Sequence, residues 1–441
     1  MFEKTGEKNM SSYAFLMDLA LILLSTKVFG LLTKRIHMPQ VVGALVAGLI
    51  LGPAMLNIIH ETDFIKQLSE VGVIVLMFCA GLETDIDELK RSGKASFIIA
   101  LMGVIIPLIG GFLVAFAFNR PGMIESDVST SIFLQNVFIG VILTATSVSI
   151  SVETLKEMGK LNTKAGNAIL GAAIIDDILG IIALTLITSM ADTSVKIGVV
   201  LLKILGFLVM VAVAGLLVHR LYKQWVERYK GNMRRFVIAA FVICLLMAYC
   251  SEVFFGVADI TGAFFAGLII TKTTKTSYVA KRFDTLSYIL LSPVFFASIG
   301  LQVDLPNMTS AVIWFSVALV VVAILTKILG CGLGAKMCHF KNKDCVRVGV
   351  GMISRGEVAL IVASKGNSIG LMSQSLLGPV VIVVVLTTIV APVFLKIAFT
   401  SRKKGGSAES EVPYESELIS SYNEQESWAS AASQGDKSNQ K

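Results

Sequence analysis

Two aspartates, Asp176 and Asp177, stand side by side in the run GNAILGAAIIDDILGIIALTLITSM, with about ten apolar or small residues on either side. Successive residues of a helix point ~100° apart, so the two carboxylates face different directions yet can border one cavity. A charge at the centre of an apolar span costs at least ~2.5–3.5 kcal/mol to place there, and it marks a partner or an ion pathway. Adjacent carboxyls held out of water can exchange protons near physiological pH, and they offer oxygen ligands to a hard cation. The competing reading makes each acid a salt-bridge partner for assembly alone; adjacent acids at mid-depth are a poor packing solution.

A cation sits in a comparable place. Lys327 lies in the middle of VVVAILTKILGCGLGAKM. It can snorkel to an interface, but its central position favours a carboxylate partner, and an Asp176–Lys327 pair would be neutral overall and switchable by protonation. Two apolar runs are interrupted. In GVILTATSVSISVETLKEMG, Thr144, Thr146, Ser147, Ser149 and Ser151 crowd a lipid-compatible stretch. Such a cluster supports an unwound segment whose carbonyls and hydroxyls coordinate a cation, or else back-bonds within an intact helix. In GVGMISRGEVALIVA, Gly349, Gly351 and Gly356 surround Ser354, Arg355 and Glu357. Arg355 and Glu357 either pair with each other or neutralise exposed helix ends.

The elements that must position these groups follow from composition and charge. Of 441 residues, 55% are hydrophobic and 16% charged, against about 25% charged in an ordinary soluble domain. The mean hydropathy is +0.78. A soluble multidomain enzyme is excluded, and the expected class is an all-α polytopic membrane protein in a lipid bilayer. Thirteen spans are expected, over 13–33, 39–59, 68–88, 95–119, 131–153, 165–189, 196–218, 235–254, 259–274, 283–302, 311–335, 345–364 and 373–398. With loops on alternating sides, 26 Lys and Arg fall on one side and 6 on the other. The positive-inside rule then puts the N-terminus outside and the C-terminus in the cytoplasm. The net charge of +7 is therefore a topology signal, and no nucleic-acid partner is implied.

On this scheme the interrupted spans are the fifth and twelfth, next to the sixth with Asp176 and Asp177 and the eleventh with Lys327. Spans 4–6 and 11–13 run in opposite orientation, the pattern of an inverted repeat with two discontinuous helices in a secondary transporter. The halves share this pattern more than residue identity. Glu83, Asp85, Glu252 and Asp259 read as interfacial or capping groups. Six Cys without a CxxC pair and four scattered His without HExxH point to packing residues and to no zinc site. Lys4 and Lys8 precede the first apolar run, but no Ala-x-Ala site follows, so a cleaved signal is not expected. Residues 400–441 turn polar and Ser/Glu/Gln-rich, which reads as a disordered cytoplasmic tail with no nucleotide-binding module.

Together, PQVVGALVAGLILGP, VGVIVLMFCAGLETDIDELK, TATSVSISVETLKEMG, AAIIDDILG, GAFFAGLI, SPVFFASIGLQVDL, ILTKILGCGLGAK and SRGEVALIVA resemble the signatures of the monovalent cation:proton antiporter-2 family, its Na+/H+ antiporters of the GerN/NapA type above all. The resemblance runs in order over roughly 13–398. It implies an NhaA/NapA-like antiporter fold and a homodimer in the bacterial cytoplasmic membrane. Each protomer would divide into an ion-carrying core, about 95–189 and 311–398, and a dimerisation scaffold, about 13–88 and 196–302. It further implies Asp177 as principal cation ligand, Asp176 as the second acid paired with Lys327, and Thr146 and Ser147 at the unwound crossover. Na+ would then be held at Asp177, Asp176 and Thr146, with Lys327, Arg355 and Glu357 compensating charge. The paired acids are the pattern associated with electrogenic exchange. The expected activity is exchange of Na+ or Li+ for H+ by alternating access, with no cofactor and no enzymatic step. The alternative within the family is K+/H+ exchange or K+ efflux, and gating by glutathione or nucleotide is not implied. A cation channel would need a continuous pore lined by rings of carbonyls or acids, and no TVGYG-like filter occurs. An intramembrane protease would need a second catalytic acid or a GxSG or GxGD motif, and neither motif occurs.

Overall fold

The structure, a computed structural model, describes residues 2–35, 38–84, 86–120, 124, 128, 130–191, 197–228, 234–271, 273, 275–302, 309–368 and 370–400. Asp85 and the tail from 401 lie outside the described residues. Every regular element among the described residues is helical. In chain order these are α1 (Phe2–Arg35), α2 (Gln40–Leu51), α3 (Asp63–Glu83), α4 (Ile86–Phe118), α5 (Ile132–Ile142), α6 (Val148–Glu157), α7 (Lys164–Ala191), α8 (Ile197–Arg228), α9 (Arg234–Phe255), α10 (Asp259–Ile270), α11 (Thr276–Leu286), α12 (Ser292–Leu301), α13 (Ser310–Met337), α14 (Asn342–Gly351), α15 (Glu357–Ser368) and α16 (Leu377–Phe399). A π-helical turn, Ser287–Leu291, joins α11 to α12.

Among the described residues, nine helical segments are long and apolar enough to cross a membrane. They match nine of the thirteen expected spans. The other four expected spans, 39–59, 131–153, 259–274 and 345–364, fall on shorter helices. α2 ends at Leu51, ahead of Gly52 and Pro53; proline lacks an N–H and disfavours the helical conformation of the residue before it. α10 is a helix of 12 residues. In the remaining two, helical bonding stops between α5 and α6, at 143–147, and between α14 and α15, at 352–356.

Packing falls into two groups. α4 runs against α13, α7 and α5, and α13 also packs on α14 and α16. Separately, α3 packs on α10 and α12, α10 on α9, and α2 on α1 and α12. α8 and α11 join the second group, through α9 and α10 and through α3; the groups meet where α2 lies on α16 and α7 on α8, and through α6, which meets α7 and α16 on one side and α2 and α3 on the other. The lipid-compatible exterior follows: Leu202, Leu216, Ile238, Trp314 and Ile397 are all more than half exposed. Such residues need no partner protein when hydrocarbon is the solvent.

Candidate ion site

The site is built where the two interruptions meet. The Ser147 N–H donates to the Ser354 carbonyl at 2.8 Å, and the Ser354 hydroxyl donates back to the Ser147 carbonyl at 2.9 Å. The Ser151 hydroxyl donates to the Gly351 carbonyl at 2.6 Å, which satisfies the C-terminal end of α14, and its oxygen lies 2.8 Å from that of Ser354. Unwound backbone at this depth must find internal partners, and these hydroxyls supply them. Gly356 permits the approach. A Cβ there would fall 2.7 Å from Ser147 Oγ and 2.9 Å from its Cβ.

Arg355 is fully buried. Its guanidinium donates to the Leu143 carbonyl at the end of α5 (2.6 Å), to the Ile353 carbonyl (2.7 Å) and to the Ala323 carbonyl of α13 (3.3 Å). A cation placed on exposed carbonyl ends offsets the negative pole of a helix. The Thr388 hydroxyl of α16 donates to the Arg355 carbonyl. The backbone of Glu357 opens α15, but its side chain lies outside the described set.

Against this crossing stand the charged groups of α7 and α13. Lys327 Nζ lies 3.1 Å from Asp176 Oδ2 and 3.4 Å from Oδ1. Lys327 has no exposed surface and Asp176 only 2%. The pair joins the middle of α7 to α13 across an interior where lone charges are costly. The ammonium also passes Gly103 of α4, where an added Cβ would lie 3.7 Å from Nζ and 2.6 Å from Cys331 Sγ. Thr146, one residue ahead of the α6 N-cap, is buried with its hydroxyl beside the Asp176 carboxyl, though outside ordinary hydrogen-bond geometry. Asp176 therefore stands near the N-terminal, positive end of α6 as well as the lysine. Asp177 takes the next position on α7, ~100° round, and is 9% exposed.

The structure thus brings together Asp176, Lys327 and Thr146, links Ser147 to Ser354, and places Arg355 on carbonyls just past the ends of α5 and α14. Gly103, Thr388 and the carbonyls of Leu143 and Ala323 were not singled out by sequence. Gly and Thr are common in such helices, and backbone carbonyls carry no sequence signal.

The chain is similar to known proteins along most of its length. Residues 20–400 match the family described as sodium/hydrogen exchanger, transmembrane. The chain is 41% identical over 393 residues to the Na+/H+-K+ antiporter GerN of Bacillus cereus, covering 89% of this chain and 98% of that protein. It is 36% identical over 386 residues to a Na+/H+ antiporter of Enterococcus hirae, covering 87% and 97%. The fold is similar to that of the sodium proton antiporter MjNhaP1 from Methanocaldococcus jannaschii, with a TM-score of 0.62 at 19% identity over 87% of this chain and 98% of that one. A family match over most of the chain, with relatives aligned end to end, makes this protein a member of the transmembrane sodium/hydrogen exchanger family.

Proposed function

We propose that the chain is a secondary active antiporter exchanging cytoplasmic Na+ or Li+ for external H+ across the bacterial cytoplasmic membrane. The observation that carries this reading is the buried Lys327–Asp176 pair set against the crossing of two interrupted helices. In this reading Asp177 is the principal cation ligand, with Asp176, Thr146 and Ser147 completing an oxygen site. Protons and cation compete for the same carboxyls, and that competition alone couples their movements. Lys327 releases Asp176 when a cation or proton takes its place, and Arg355 and Glu357 balance the helix ends. Two carboxyls allow more than one proton to move per cation, the basis of electrogenic exchange.

The nine long segments, α2, α10 and the broken pairs α5–α6 and α14–α15 make thirteen crossings, with α4–α7 and α13–α16 as inverted repeats. These two repeats form the core, and α1–α3 and α8–α12 form the scaffold of a homodimer. The core moves against the scaffold to expose the site to each side in turn. The N-terminus lies outside, and the tail from 400 lies in the cytoplasm. A second reading, exchange of K+ for H+, is favoured by the name of the Bacillus cereus relative, which includes K+.

The test is proton flux in proteoliposomes under an imposed pH gradient, with Na+, Li+ or K+ added in turn and the membrane potential clamped or free. A Na+-dependent flux that responds to potential, and is lost in Asp177→Asn, is expected. Flux with K+ alone selects the second reading. A passive cation leak without proton coupling would indicate a channel and overturn both.

A further inference from the structure

The end of α6 remote from Thr146 carries a second set of charges. Lys156 Nζ lies 2.5 Å from Asp284 Oδ1 on α11 and 3.1 Å from Glu83 Oε1 on α3. The next residue, Glu157, accepts the backbone N–H of Gln40, the first residue of α2, at 2.8 and 2.9 Å. A carboxylate at a helix N-terminus is well placed. All of these partners belong to the α1–α3 and α8–α12 group. At its other end α6 is held by Ser147 and Ser151 to the α14–α15 crossing. One short helix therefore has one end hydrogen-bonded into the core and the other end ionically tied to the scaffold. A cavity of about 340 Å3 borders this tie, with Gln40 and Glu153 also on its walls.

Motion of core against scaffold must change this contact. The Lys156, Glu83 and Asp284 side chains are 14%, 31% and 21% exposed, so water can reach and rehydrate them when they part. Partly exposed pairs of this kind hold with modest energy, enough to bias an equilibrium between two states and too little to prevent exchange between them. One ammonium faces two carboxylates from different helices. Its withdrawal leaves those like charges together, which gives the tie a definite strength.

We propose that Lys156 is a positioning residue for transport: paired with Asp284 and Glu83 it latches the α6 end against the scaffold, and its release accompanies opening of the site at that end. This rests on the core-and-scaffold reading above. Thr146 and Ser147 ride on the same helix, so the latch also sets where the ion site stands relative to the scaffold.

The experiment uses the full chain in proteoliposomes, with the apparent KM for Na+ measured from each face separately. Lys156→Met is expected to retain Na+-dependent proton flux. Its KM should fall about three- to tenfold at the face bearing the latch and rise at the opposite face. Lys156→Arg should restore the parental values, and Lys156→Met/Asp284→Asn should shift KM no further than Lys156→Met alone. An unchanged KM at both faces, an equal shift at both, or additive effects in the double variant would overturn the latch. Asp284→Asn and Glu83→Gln each remove one partner and carry the same expectation, at smaller size, should Lys156→Met fail to insert. Asp177→Asn is measured alongside. If it still exchanges cations, the ion-site reading fails; if it is inactive while Lys156→Met leaves both KM values unmoved, the latch alone fails.

Discussion

Ser147 and Ser354 hold each other across 207 positions of sequence: the N–H of one meets the carbonyl of the other at 2.8 Å, and the hydroxyl of the second returns to the carbonyl of the first at 2.9 Å. This reciprocal pair replaces the helical hydrogen bonds that both interrupted segments give up. Ser354→Ala removes the returning donor and the contact to Ser151. A buried polar group left without its partner costs ~1–3 kcal/mol. The thermal midpoint of the purified protein should fall accordingly, read by tryptophan fluorescence, and Ser354→Thr should recover part of the loss. An unchanged midpoint in Ser354→Ala would contradict the role assigned to this pair.

Lys327 and Asp176 are a fully buried charge pair. Removing one member leaves the other uncompensated, at a cost of about 3–5 kcal/mol. Lys327→Met should therefore be strongly destabilised, whereas Lys327→Met/Asp176→Asn should regain most of the thermal stability without regaining electrogenic exchange. A double variant no more stable than Lys327→Met would show that packing, and not charge, makes the contact.

Gly356 leaves no room for a methyl group beside Ser147. Gly356→Ala forces the two interrupted segments apart, with an overpacking cost of ~1–3 kcal/mol. The expected result is reduced cation-dependent proton flux with a protein that still reaches the membrane. Gly356→Ala combined with Ser147→Gly removes the clashing atoms and should recover thermal stability relative to Gly356→Ala.

The proposed competition between H+ and cation for Asp176 and Asp177 predicts how apparent affinity varies with pH. Below the pH at which the site takes up protons, each cation must displace them, so KM for Na+ rises as pH falls. The slope approaches about tenfold per pH unit for one displaced proton and about a hundredfold for two. A slope near two supports electrogenic exchange through both carboxyls. A KM independent of pH over the whole active range would exclude competition as the coupling device.

The charged groups of the site were legible in the sequence because the bilayer makes them so. Against hydrocarbon, Asp176, Asp177, Lys327 and Arg355 stand out as costs that need a reason, and the crowded hydroxyls of 144–151 flank the backbone that leaves the helix at 143–147. Asp176 and Lys327 could be proposed as partners from their depth alone. Lys156 carries no such sign: it falls just past the expected span 131–153, among many Lys and Arg on one side, and nothing local says that Glu83 and Asp284 reach it from α3 and α11.

By itself the sequence determined the class, the rhythm of apolar spans and which charged and hydroxyl side chains stand out within them, since each of these follows from local composition and from the cost of burying charge. Tertiary structure decided which groups meet. Only the fold brings Ser151 within hydrogen-bonding distance of Gly351 and Ser354, sets Arg355 on the Leu143 carbonyl and ties Lys156 to α3 and α11. Such contacts depend on how helices distant in sequence pack against one another, and hydrophobic pattern along a single helix carries no record of its neighbour's register.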